Sequence, residues 1–193
     1  MKTFLTLFVL LFSSSVLAED ISDFEIEGFR IGDSLLDYFS EEEIKENIEE
    51  VYDHYEDQSF TTVEFDKHPL LKNYNAIQFN FKRSDKSYKI YSISAGDFFY
   101  DGIDKCIKKL NEISESLSSI YKNTRKDSVK KQIHPADPDG QSFGWGDYFI
   151  FDTGDRALVE CYDWSEKITK EMGYTDRLGL SLDSKEFVDW LWQ

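Results

Sequence analysis

The sequence predicts an α+β fold: an antiparallel β-sheet built from two hairpins plus flanking strands, covered on one face by helices. Three patterns carry this expectation. Residues 76–82 place Ile77, Phe79 and Phe81 on one side and Gln78, Asn80 and Lys82 on the other, and Ser84, Asp85 and Lys86 then turn the chain into a partner strand over 88–95. A second hairpin runs from 147–151 through Asp152, Thr153, Gly154 and Asp155 into 156–163, where Ala157, Val159 and Cys161 alternate with Leu158, Glu160 and Tyr162. Between the hairpins, Ile103, Cys106, Leu110, Ile113, Leu117 and Ile120 recur at spacings of 3 and 4, the apolar stripe of one helix face. Hairpins with short turns require antiparallel pairing, so the helices must lie on a face of the sheet.

The remaining elements follow in chain order. Residues 24–31 alternate briefly and predict an edge strand. Ser34 caps a short helix carrying Leu35, Leu36, Tyr38 and Phe39. Ser40 and Glu43 form a capping box for a second helix, in which Ile44, Ile48, Val51 and Tyr55 recur at helical spacing. Residues 60–65 read as a strand. Pro135, Pro138, Gly140, Gly144 and Gly146 mark 122–146 as mostly loop. A last strand over 178–182 leads to a closing helix, begun by Asp183 with Glu186 and presenting Phe187, Trp190 and Leu191.

Residues 1–18 have the organisation of a cleaved signal peptide: Lys2, an apolar run from Phe4 to Phe12, and a small-residue exit ending at Val16 and Ala18. The run is shorter than the roughly 20 residues that cross a bilayer, and no later segment approaches that length. The expected product is residues 19–193 as one exported α+β domain, with no membrane span after cleavage; a two-lobe division near residue 123 is the alternative. The destination is periplasmic or extracellular. Cys106 and Cys161 lie 55 positions apart, and in an oxidising compartment they have one possible pairing, a disulfide from stripe helix to second hairpin. Two separate buried thiols are the competing reading.

Composition narrows the function. The formal charge of −16 argues against a duplex nucleic-acid binder, whose phosphate contacts need a basic face, so no nucleic-acid partner is expected. A hydrophobic content of 40% and aromatic content of 16% are those of a folded chain. Phosphate-binding, zinc-protease and nucleophile-elbow signatures are absent. Ser119 with Lys122 and Ser128 with Lys131 match a serine–lysine spacing, but the companion motifs of a serine acyl-enzyme are missing. His54 and His68 read as a helix-face and a turn residue. His134, Asp137 and Asp139 share one loop and are the best metal candidates, although the loop lacks the third carboxylate and distal Glu of a calcium site. No cofactor is expected.

Charge and aromatic residues suggest surfaces instead. Residues 41–57 hold nine acids against Lys45, including Glu42, Glu46 and Glu49, whereas 122–131 hold Lys122, Arg125, Lys126, Lys130 and Lys131 against Asp127. Phe143 and Trp145 stand among glycines, where an aromatic side chain can project as a binding anchor or fold over the core edge. The opening 28–36 (Gly28, Phe29, Arg30, Ile31, Gly32, Asp33, Ser34, Leu35, Leu36), followed by helices and an antiparallel sheet, resembles exported modules of the SmpA/OmlA and beta-lactamase-inhibitor-protein type. The lipidated cysteine of the former is absent and 66–74 departs from both, so no functional residue is carried over. The expected function is a non-enzymatic binding or interaction module with a protein or envelope partner, contacted through Phe143, Trp145, Glu42, Glu46 and Glu49. The alternative is a small hydrolase using carboxylates or a metal near His134.

Overall fold

The computed structural model describes residues 20–49, 51, 55–100, 102–121 and 123–193. The expected signal peptide lies outside the described residues, as do His54 and part of the acidic run. Helix α1 is Glu41–Glu46, and it leads into β1 (Ile48–Glu49), β2 (Phe60–Asp66), β3 (Ala76–Lys82) and β4 (Ser92–Phe98). The long helix α2 (Ile103–Ile120) then precedes β5 (Arg125–Ile133), β6 (Phe143–Ile150), β7 (Arg156–Asp163), α3 (Glu166–Met172), β8 (Arg177–Asp183) and α4 (Lys185–Leu191). Among the described residues, eight strands form one antiparallel sheet in the order β1-β2-β3-β4-β8-β7-β6-β5. Two meanders thus start at opposite edges and work inward until β4 meets β8, with α2 carrying the chain from the centre to the far edge.

Alternation along the strands sorts the sheet into two unlike faces. One carries Val63, Phe65, Ile77, Phe79, Ile93, Ala95, Phe149, Ala157 and Leu182, all buried. The N-terminal segment lays Ile26, Phe29, Leu35, Phe39 and Ile44 over the β2–β4 part of this face. Phe39 stacks on Phe65 at 4.1 Å between ring centres and Phe29 meets Phe79 edge-on at 4.9 Å. Helix α2 covers the β7–β8 part, where the Cys106–Cys161 disulfide joins it to the sheet over a Cα–Cα span of 6.0 Å. This is the pairing expected from the stripe helix and the second hairpin.

The opposite face is polar. One register row runs Thr62, Asn80, Ser92, Asp183, Arg156 across five strands, and their side chains form an unbroken chain of hydrogen bonds. Thr62 Oγ1 donates to Asn80 Oδ1 (2.7 Å), Asn80 Nδ2 to Ser92 Oγ (3.2 Å), Ser92 Oγ to Asp183 Oδ1 (2.6 Å) and Arg156 Nε to Asp183 Oδ2 (2.8 Å). Helix α4 closes this end of the face by packing Phe187 and Trp190 on Phe60.

Five local expectations are corrected. Residues 24–31 form no edge strand. Glu27 and Gly28 take positive φ values of 56° and 92°, making a tight turn that drives Ile26 and Phe29 into the core. Backbone amides of Lys72 and Asn73 donate to the Glu27 carboxylate and hold it there (both 2.9 Å). The second helix has its capping box, but it stops at Glu46; Asn47 Nδ2 caps Glu43 O at 2.8 Å and Ile48 pairs with Val63 instead. Crowded like charges at helical spacing disfavour its continuation. Strand β4 begins at Ser92 instead of Tyr88, because 88–90 is taken by the N-terminal segment: Leu35 N donates to Tyr88 O and Ile90 N to Asp33 O. Finally, the stretch 122–146 is mostly strand. Among the described residues its non-strand parts are 123–124 and 134–142, Gly144 and Gly146 lie inside β6 beneath the Tyr162, Tyr148 and Glu160 side chains of the same face, and β5 is an edge strand too polar to alternate. The cap of α4 is Ser184, whose Oγ accepts from Phe187 N, while Asp183 belongs to the buried row.

Candidate binding groove beside the basic edge strand

Helix α2 lies chiefly over β7 and β8, so β5 and part of β6 extend beyond it. The resulting groove is lined by Ile107, Leu110 and Asn111 from α2, Ser128, Val129 and Lys130 from β5, and Trp145, Gly146 and Asp147 from β6. Trp145 sits opposite Cys161 in the register and is half-buried against Leu110, so the disulfide also fixes the floor of the groove. Lys131 lies 3.8 Å from the Phe143 ring centre and 5.5 Å from that of Trp145, a cation–π contact that orients both rings. Of the two readings left open for Trp145, the geometry contains part of each, since its ring is partly packed and partly exposed beside β5.

A polar network fixes α2 against β5 and β6 beyond the groove. Lys126 Nζ donates to Ser114 Oγ (2.7 Å) and pairs with Asp147 (2.9 Å), while Ser114 donates to the same carboxylate. Burial raises the Asp147 pKa, but the Ser114 and Ser128 hydroxyls and Lys126 outweigh it and hold the carboxyl below the usual range. Among the described residues the outer edge of β5 pairs with no strand, leaving its backbone groups available to an incoming chain. A β-bulge between Val129 and Gln132 limits the regular edge to 125–129.

His134, Asp137 and Asp139 share a loop but do not converge on a common point. His134 Nδ1 accepts from Ala136 N (3.1 Å), and its ring packs against Trp164 and Tyr162. Asp137 is buried and accepts from Ser142 Oγ (2.6 Å), Asp139 N (3.0 Å) and Gln141 N (3.2 Å), which organises the loop; Ser142 chiefly holds its pKa down. Asp139 pairs with Lys167 at 2.7 Å. Among the described residues no three His, Cys, Asp or Glu side chains are grouped to hold a metal ion.

Burial, with Arg177 nearby, lowers the His134 pKa from its ordinary 6.5. A depressed histidine value means the folded state favours the neutral ring, so stability falls as pH drops below the unfolded value. Thermal melts between about pH 7 and pH 5 should therefore show a smaller acid-induced loss for His134→Phe than for the parent. An equal loss in both would place the acid sensitivity elsewhere.

Glu42, Glu46 and Glu49 are exposed at the β1 end of the sheet, far from Phe143 and Trp145, which lie on β6 next to the β5 edge. The structure therefore divides the five predicted binding residues between two edges. A second depression, absent from the sequence reading, lies on the polar face. Gly96 and Gly179 are register partners with open space above them, flanked by Glu64, Gln78, Ser94, Phe98 and Arg177. Its sequence signal was available: a glycine inside a strand often marks close approach by another group. No known family, curated protein or solved structure matches this chain.

Proposed function

We propose that the chain is an exported, non-enzymatic binding module that takes an acidic, extended polypeptide segment along β5. The supporting observation is one juxtaposition: an edge strand, unpaired on its outer side among the described residues and bearing Arg125, Lys126 and Lys130, beside a groove of mixed polarity floored by Leu110 and Trp145. Adding a strand to a sheet edge supplies main-chain hydrogen bonds, and pockets beside the edge select alternate side chains. Here the groove selects an apolar residue and the basic strand favours flanking acids. The disulfide is compatible with export, and among the described residues no helix is long and apolar enough to cross a membrane.

The test is calorimetric titration with a short capped peptide alternating glutamate and valine around a central leucine. Trp145→Ala should weaken binding about tenfold or more, the loss of a central aromatic anchor. Glu46→Lys with Glu49→Lys, at the far edge, should leave it in place. Equal binding by the parent and Trp145→Ala would exclude the groove.

A further inference from the structure

The two ends of the sheet carry opposite charge, the acids at one end standing mostly on α1 beside β1 and the basic residues at the other on β5. At the β1 edge, residues 41–49 hold five acids against Lys45; at the β5 edge, 125–131 hold Arg125, Lys126, Lys130 and Lys131 against Asp127. Internal pairing uses only part of each set. Glu41 pairs with Lys45, Arg125 with Asp127 and Lys126 with Asp147, whereas Glu42, Glu46, Glu49 and Lys130 are exposed and are found in none of these pairs. Each edge also exposes one large aliphatic side chain, Ile48 at 38% and Ile133 at 59%. One end of the sheet, α1 with β1, is therefore acidic with an exposed isoleucine, and the other end, β5, is basic with an exposed isoleucine.

We infer that the acidic edge of one copy docks on the basic edge of another, extending the sheet from β1 of the first to β5 of the second. The inference rests on reading β5 as a docking edge and names its partner as a second copy of this chain. Such contact is heterologous, joining unlike surfaces, so each added copy leaves one acidic and one basic edge free. The brevity of β1, the β5 bulge and the edge lysines limit the pairing, as they do on edges protected against aggregation. The association is accordingly reversible and weakened by salt, because exposed charges are screened beyond about 8 Å at physiological ionic strength.

Charge exchange tests it. Glu42→Lys, Glu46→Lys and Glu49→Lys together make both edges basic, and Arg125→Glu with Lys130→Glu makes both acidic. In sedimentation velocity, the parent should show an average mass that rises with concentration. Each variant alone should remain a monomer, and their equimolar mixture should recover association with about a twofold rise in mass. Unchanged far-ultraviolet circular dichroism in both variants shows that folding is retained. A parent that stays monomeric at all concentrations, or a mixture that does not associate, overturns the inference. Peptide binding by a strictly monomeric parent overturns this proposal while leaving the groove standing; loss of peptide binding in Trp145→Ala with self-association intact shows that the edges pair without the groove.

Discussion

Replacing Cys106 and Cys161 together by alanine should lower the melting temperature by about 10 °C. The bridge spans 55 positions, which in the chain-entropy model corresponds to about 4 kcal/mol. A chain of this size loses about 2–4 °C per kcal/mol. Both cysteines are fully buried, so their removal also loosens the contact of α2 with β7, on which Leu110 and Trp145 depend. Peptide affinity should therefore fall along with stability. The check is a pair of melts, parent against double variant, repeated in reductant: the parent alone should respond to reduction. An unresponsive parent would mean that the sulfurs are not joined.

Arg156→Ala should be the most damaging single substitution on the polar face, costing about 3–5 kcal/mol. Arg156 is the charge partner of Asp183, whose side chain is only 5% exposed, and the hydrogen bond to Ser92 does not replace a cation. Removing one member of a buried pair leaves an uncompensated charge, whereas replacing both by apolar groups is often nearly neutral. Arg156→Met with Asp183→Leu should therefore melt much closer to the parent. The pH dependence has a definite sign. Burial raises the Asp183 pKa against the pull of Arg156 and Ser92, so the folded state holds this proton more tightly than the unfolded chain, and that contribution declines as pH rises through the folded value. Without Arg156 the value rises further, and the defect should be smaller in acid than at neutral pH. Urea melts at both pH values measure this; a defect that grows in acid would contradict the assignment of the buried charge.

The elements legible in the sequence were those whose local pattern and tertiary environment agree. The α2 stripe, the β3 alternation and the β6–β7 turn each have one buried side, so periodicity points the same way as packing. The misreadings fall where a non-local partner overrides local preference. Ile48 continues a helical spacing, yet it is worth more beside Val63, and 88–90 follows the N-terminal segment because Gly32, Asp33 and Leu35 pair there. Strand β5 has no apolar alternation at all, since an edge carrying one lysine after another gains its order from β6. The site was legible in pieces for the same reason. Trp145, Phe143 and the two charged runs were visible, but their separation onto opposite edges depends on the crossover made by α2. Gly96 and Gly179 become partners only when β4 meets β8.

The most direct measurement is an NMR titration of the parent protein with the glutamate–valine–leucine peptide, following backbone amide shifts and hydrogen exchange. Binding along β5 predicts that the amides of 125–129 shift and exchange more slowly, together with shifts at Ile107, Leu110 and the Trp145 indole. Shifts confined to Ser94, Gly96, Gly179 and Arg177 on the opposite face, or no shifts at saturating peptide, would contradict it.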